Sequence, residues 1–173
     1  RDTLVIVAGD HGEAFGEHGE FSHSIFIYDT TLRVPLVMRG PGINSGEPTT
    51  NRERRTANAM VTGPVTLADV APTAMRLLGF TMPDADGIDL SPVLAGRALP
   101  RRELYAESFA PLTEFGWAPL RAIRSGPWKF IAAPKPELFD IDHDASEQTN
   151  VANSQPSVAR ELDARANRYS PPR

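Results

Sequence analysis

The chain has 173 residues, of which 40% are hydrophobic and 23% charged, with a formal net charge of −4 and no cysteine. This is a soluble globular balance; it excludes disulfides, thiolate metal sites and a cysteine nucleophile within these residues, and it offers no basic stripe for nucleic acid. No apolar run approaches the roughly 20 residues that a membrane-spanning helix needs.

Leu4–Ala8 is apolar without polar alternation, the pattern of an inner strand covered on both faces, as in a parallel sheet with helices on each side. A chain that opens two residues before a core strand reads as part of something longer. The strand runs into GDHGEAFGEHGE (9–20), where Asp10, Glu13, Glu17 and Glu20 crowd together with His11 and His18. Gly12, Gly16 and Gly19 each cost a helix about 1 kcal/mol relative to alanine, so the stretch is expected to be a loop. Such a density of carboxylates calls for an offsetting cation. Asp10 and His11 stand where ligands collect in α/β sheets, beyond the carboxyl end of a strand. A carboxylate oxygen beside an imidazole nitrogen suits Mg, Ca, Mn or Zn. Asp-His-Gly also occurs in ordinary turns, so the pair alone leaves a purely structural role open.

Farther along, Ile25–Leu32 has helical spacing, and Val34–Met38 reads as a second buried strand with Pro35 near its start. Arg39–Gly46 turns the chain, and Glu47–Asn58 is expected to be exposed and mobile. Asp69 is an N-cap candidate for a helix with Val70, Ala74, Leu77 and Leu78 on one face and Gly79 as C-cap. Pro83–Pro100 is loop-rich, with a short apolar segment at Leu90–Leu94. Four short strands are expected at 104–107, 120–124, 128–132 and 137–141, with Ser125-Gly126-Pro127 as a turn between the middle two. A terminal helix follows Pro156, with Val158, Leu162, Ala166 and Tyr169 on one face and Glu161–Arg165 as an i,i+4 pair, and Pro171 stops it. Asp140, Asp142 and Asp144 imitate a calcium loop, but Ala145 and Val151 stand where glycine and glutamate are needed. The zinc-protease HExxH pattern is absent because Gly12 follows His11.

Four blocks in order, GDHGEAFGEHGEFSHSIFIYDTTLRVPLVMRGPG (9–42), VTLADVAPTAMRLLGF (65–80), DGIDLSPVLAG (86–96) and ELFDIDHDASEQTNVA (137–152), resemble the C-terminal half of the sulfatase family, within the alkaline phosphatase superfamily. The resemblance implies that Asp10 and His11 are metal ligands. It places His23 where many members carry a lysine that contacts the sulfate or phosphate group, as both a substrate-binding and a catalytic residue. Glu13, Glu17 and His18 would orient the ligands without touching the metal. Sulfatases of this family use a formylglycine made within a Cys/Ser-x-Pro-x-Arg motif; here Ser125-Gly-Pro-Trp-Lys129 ends in lysine and sits in an expected hairpin turn. The nucleophile is therefore expected in a missing N-terminal half, together with the other metal ligands.

The expected architecture is α/β: residues 1–100 form part of a largely parallel sheet with flanking helices, and 101–173 a small antiparallel sheet with a terminal helix. The implied parent is a divalent-metal-dependent hydrolase of sulfate esters, partnered by its own N-terminal half. A phosphodiesterase, phosphonate hydrolase or phosphoglycerol transferase on the same scaffold, acting on a phosphate ester, or a non-catalytic binding module, remains the alternative. Many relatives are exported, which leaves the compartment open.

Overall fold

The computed structural model describes residues 3–41, 43 and 60–169, in two compact units: residues 1–9 with 35–101, and residues 10–34 with 102–173. The polar stretch 47–58 and Pro171 lie outside the described residues. Among the described residues no helix is long and apolar enough to cross a membrane.

In the first unit, strand β1 (Val5–Ala8) pairs with β2 (Leu36–Arg39) in an antiparallel register, Val5 opposite Arg39 and Ala8 opposite Leu36. This corrects the largely parallel sheet expected from the sequence: every strand pairing among the described residues is antiparallel. An unbroken apolar run signals apolar surroundings but not the direction of the neighbouring strand. Here Gly9 N–H donates to Pro35 O at 3.2 Å, so the chain leaves β1 and re-enters β2 at the same end, which fixes the antiparallel sense. Nor is the strand covered on both faces, since Val5, Val7 and Val37 are 48%, 57% and 60% exposed.

Helix α2 (Val70–Leu77) begins one turn earlier than expected, as a short 3₁₀ turn over Leu67–Asp69. Thr66 is the N-cap and Asp69 completes a capping box by accepting from Thr66 N–H at 2.9 Å. The wholly buried Asp69 also accepts from Ile88 N–H at 2.8 Å, which ties the 80s loop to the helix start. Gly79 ends the helix as expected, with Phe80 N–H reaching back to Met75 O. A one-turn helix, α3 (Ser91–Leu94), occupies the short apolar segment.

The second unit contains α1 (Asp29–Leu32), a shorter helix than the spacing of residues 25–32 suggests. Its sheet is a meander in sequence order: β3 (Glu103–Ser108), β4 (Leu120–Ser125), β5 (Trp128–Ala132) and β6 (Glu137–Asp140), each pair antiparallel. The turn Gly126-Pro127 joins β4 to β5 with Ser125 opposite Trp128. A further helix, α4 (Ala110–Phe115), sits in the β3–β4 connection, where no sequence element was expected. Helix α5 (Pro156–Ala166) covers one face of the sheet, burying Leu162 and Ala166 against Ile123, Phe130 and Leu138. The opposite face buries Ala122, Ile131 and Phe139 against Ile27, so residues 10–34 are seated on the C-terminal sheet. The Asp140–Asp144 turn holds no cage of carboxylates, because Asp140 accepts from Asp142 N–H and Asp144 from Gln148 and Thr149 N–H.

Candidate functional site

Residues 10–34 are folded by nested backbone bonds. Gly12 N–H donates to Thr31 O at 2.8 Å, Ala14 N–H to Ser22 O at 2.9 Å and Gly16 N–H to Glu20 O at 2.8 Å. At Gly12 the approach is so close that a Cβ would lie 2.2 Å from Thr30 O, so only glycine fits. Buried Glu20 accepts from the Ile25 and Phe26 amides at 3.0 and 3.3 Å, and its role is to shape the loop.

This framework brings Asp10, His11, Glu13 and His23 together. His11 Nδ1 lies 2.8 Å from Gly12 O, a carbonyl that can only accept, so Nδ1 carries the proton and Nε2 presents its lone pair. That Nε2 is 3.9 Å from Asp10 Oδ1, and Asp10 is almost fully exposed. Bonds of about 2.0–2.2 Å to one cation leave two ligands roughly 3–4 Å apart, so the pair fits as two donors to a divalent ion. They are two donors only: among the described residues no group of three or more His, Asp or Glu side chains is arranged to hold a metal.

The His11 and His23 rings stack with centroids 3.8 Å apart and planes 24° from parallel. His23 Nδ1 is 3.3 Å from both Glu13 carboxylate oxygens. Each ring of the stack has a carboxylate beside it, Asp10 at 3.9 Å from His11 and Glu13 at 3.3 Å from His23. The side-chain contact of Glu13 is with His23.

Glu17 and His18 go elsewhere. Glu17 accepts from Phe15 N–H at 2.6 Å, and these backbone bonds hold its carboxyl below the ordinary value. His18, at a left-handed φ of 54°, stacks on Tyr28 at 3.6 Å and places Nε2 3.2 Å from Ser146 O. It orients the loop through Tyr28, whose hydroxyl donates to Glu137 at 2.7 Å.

Sequence reasoning missed the anchor of this loop. Lys129 on β5, 2% exposed, places Nζ 2.6 Å from Asp29 Oδ1 and 2.7 Å from Glu147 Oε1. Asp29 N–H also donates to Glu147 Oε2 at 2.5 Å, and Arg124 Nη1 stands 3.7 Å from Asp29 Oδ2. Burial pushes the Glu147 carboxyl up, and the Lys129 ammonium offsets this only in part. The available signal was the register of the strand: Lys129 alternates with Ile131 on the face that meets the loop.

Comparison with known proteins gives the family. A family model described as N-sulphoglucosamine sulphohydrolase, C-terminal, matches residues 16–169. Arylsulfatase K of Mus musculus is 32% identical over 175 residues, covering 94% of this chain. Choline-sulfatase of Rhizobium meliloti is 35% identical over 159 residues, covering 88%. The crystal structure of a phosphonate monoester hydrolase of Agrobacterium radiobacter superposes with a TM-score of 0.69 at 27% identity, covering 94% of this chain and 34% of that one. The chain spans 29% of the length of the mouse protein and 28% of the bacterial one. With its last three resembling blocks and much of the first inside the matched span, the chain belongs to the sulfatase family, in the region that the family model describes as C-terminal.

Proposed function

We propose that the chain is the C-terminal part of a metal-dependent hydrolase of sulfate esters. The observation that carries this reading is the meeting of Asp10, His11 and His23 on one loop of a sulfatase-family chain. Asp10 Oδ1 and His11 Nε2 would supply two ligands of a divalent cation, Ca, Mn, Mg or Zn. The remaining ligands and a formylglycine nucleophile would come from sequence outside these 173 residues. When bound, such a cation polarises the ester oxygens and stabilises an anionic nucleophile. His23, held by Glu13 and stacked on His11, would set a positive ring against the sulfate oxygens and donate a proton to the leaving alcohol oxygen.

In the complete enzyme, His11→Ala is expected to lower metal content and kcat/KM together. His23→Ala should keep the metal and lower kcat/KM by about 10²–10⁴, and His23→Lys should restore part of it. A His23→Ala enzyme with unchanged kcat/KM refutes the assignment. The 173-residue chain alone is expected to hydrolyse neither aryl sulfates nor aryl phosphates; turnover abolished by Asp10→Ala would place the nucleophile within it. The second reading, phosphonate monoester hydrolysis, draws on the identity to the Agrobacterium enzyme. Paired assays on a sulfate ester and a phosphonate monoester separate the two.

A further inference from the structure

Ser24, the residue after His23, has φ +95°, beyond the φ of about +50 to +70° that side-chain-bearing residues tolerate in the left-handed region. Such a backbone is strained and persists only where its surroundings over-determine it. Here the chain is pinned on both sides of the kink. Before His23, Ser22 O accepts from Ala14 N–H at 2.9 Å. After Ser24, the Ile25 and Phe26 amides both donate to the buried carboxylate of Glu20, at 3.0 and 3.3 Å. At the kink itself, the hydroxyl of Ser108, the last residue of β3, donates to Ser24 O at 3.1 Å across 84 positions.

We propose that Ser24 and Ser108 are positioning residues: the strained turn at Ser24, locked to the C-terminal sheet by the Ser108 hydroxyl, sets the His23 ring against His11 and Glu13. What His23 does once placed there rests on the sulfatase reading above. The strain yields nothing to the core, since the Ser24 side chain is exposed. Its product is the place of the neighbouring imidazole, which stacks on His11 at 3.8 Å with Nδ1 3.3 Å from both Glu13 oxygens. An ordinary negative φ at position 24 would swing His23 about the N–Cα bond of Ser24 while Ile25 and Phe26 stay fastened to Glu20. Either the imidazole would then leave the stack or Ser22 would leave Ala14. The Ser108 bond closes the second route to relaxation, because it holds the Ser24 carbonyl from a strand of the sheet instead of from the loop itself.

The test has a structural and a kinetic arm. The chain holds four histidines, few enough to assign each ring by NMR, and proximity cross-peaks between the His11 and His23 ring protons report the stack directly. Ser108→Ala should weaken those cross-peaks with circular dichroism unchanged, and Ser108→Thr, which keeps a hydroxyl, should retain them. Ser24→Gly, which takes positive φ freely, should keep the stack, whereas Ser24→Pro, whose ring locks φ near −65°, should lose it. In the complete enzyme, Ser108→Ala should lower kcat/KM by about 10–10²-fold with metal content unchanged, and Ser108→Thr should recover most of it. Because Ser108 acts through His23, the double variant with His23→Ala should be no slower than His23→Ala alone. Intact cross-peaks in Ser108→Ala, no recovery by Ser108→Thr, or losses that add in the double variant overturn the proposal, as does a Ser24→Pro chain with the stack unchanged. The cross-peaks need no turnover, so the two readings separate. A stack lost in Ser108→Ala beside unchanged kcat/KM in His23→Ala sinks the sulfatase role of His23 and keeps the positioning device, and the reverse pattern does the opposite.

Discussion

Replacing Lys129 with methionine removes the ammonium that stands 2.6 Å from Asp29 and 2.7 Å from Glu147 while keeping the volume of the stem. Two carboxylates, with side chains 14% and 1% exposed, are then left facing one another, and Arg124 at 3.7 Å reaches only the first. Removing one partner of a buried ion pair costs about 3–5 kcal/mol, against a total stability of about 5–15 kcal/mol. For a chain of this size that lowers Tm by about 6–20 °C. Because burial already raises the Glu147 carboxyl, losing Lys129 raises it further. A raised carboxyl binds its proton better in the folded state, so stability is greatest below the unfolded value and falls as pH rises through the folded one. The Lys129→Met deficit should therefore be larger at neutral pH than at about pH 5. Urea unfolding followed by tryptophan fluorescence measures both. Adding Glu147→Gln should recover most of the loss, since replacing both partners is often close to neutral. A deficit below about 1 kcal/mol, or one that does not change with pH, refutes the account of a buried and interdependent anchor.

Gly12→Ala should destabilise the loop by about 1–3 kcal/mol because the new methyl meets Thr30 O, and hydrogen exchange of the Gly12 amide should speed accordingly. At alkaline pH, burial and the Glu107 carboxylate push Tyr105 up to about 12, and burial beside Glu137 raises Tyr28 as well. Their raised folded values mean that this stability is whole below the ordinary phenol value of about 10 and is lost as pH climbs toward 12. Phenolate absorbance in the near-ultraviolet should show Tyr105 and Tyr28 ionising late, and Tyr105→Phe should remove one of these two late phenols while leaving the other.

The C-terminal sheet was legible because its information is local. Each strand alternates or pairs with a neighbour a few residues away, and the Gly126-Pro127 turn marks the hairpin. Helix α5 announced itself through Leu162 and Ala166, and its Glu161–Arg165 pair forms as expected, with Arg165 reaching Glu103 besides. Helix α4 escaped notice because six residues starting Ala-Pro carry too little periodicity. The direction of β2 beside β1 was misread because apolarity carries no sense of direction. In the site, adjacent positions suggested Asp10 and His11. The stack of His11 on His23 depends on how the eleven residues of loop between them close on themselves, and Lys129 bonds Asp29 across 100 positions, a contact that no local pattern encodes.

The bond from Asp29 N–H to Glu147 spans 118 positions, which gives the loop a schedule. Residues 10–34 leave the ribosome before their last fastener, which is translated 118 residues after Asp29. At about 5–20 residues per second this is a wait of roughly 6–24 s. During that interval the exposed Phe15 and Phe21 belong to a nascent segment without its clasp, open to chaperones. A premature stop codon between positions 24 and 147 would release a polypeptide in which Asp10, His11 and His23 are all present in sequence without the Glu147 fastener of their loop.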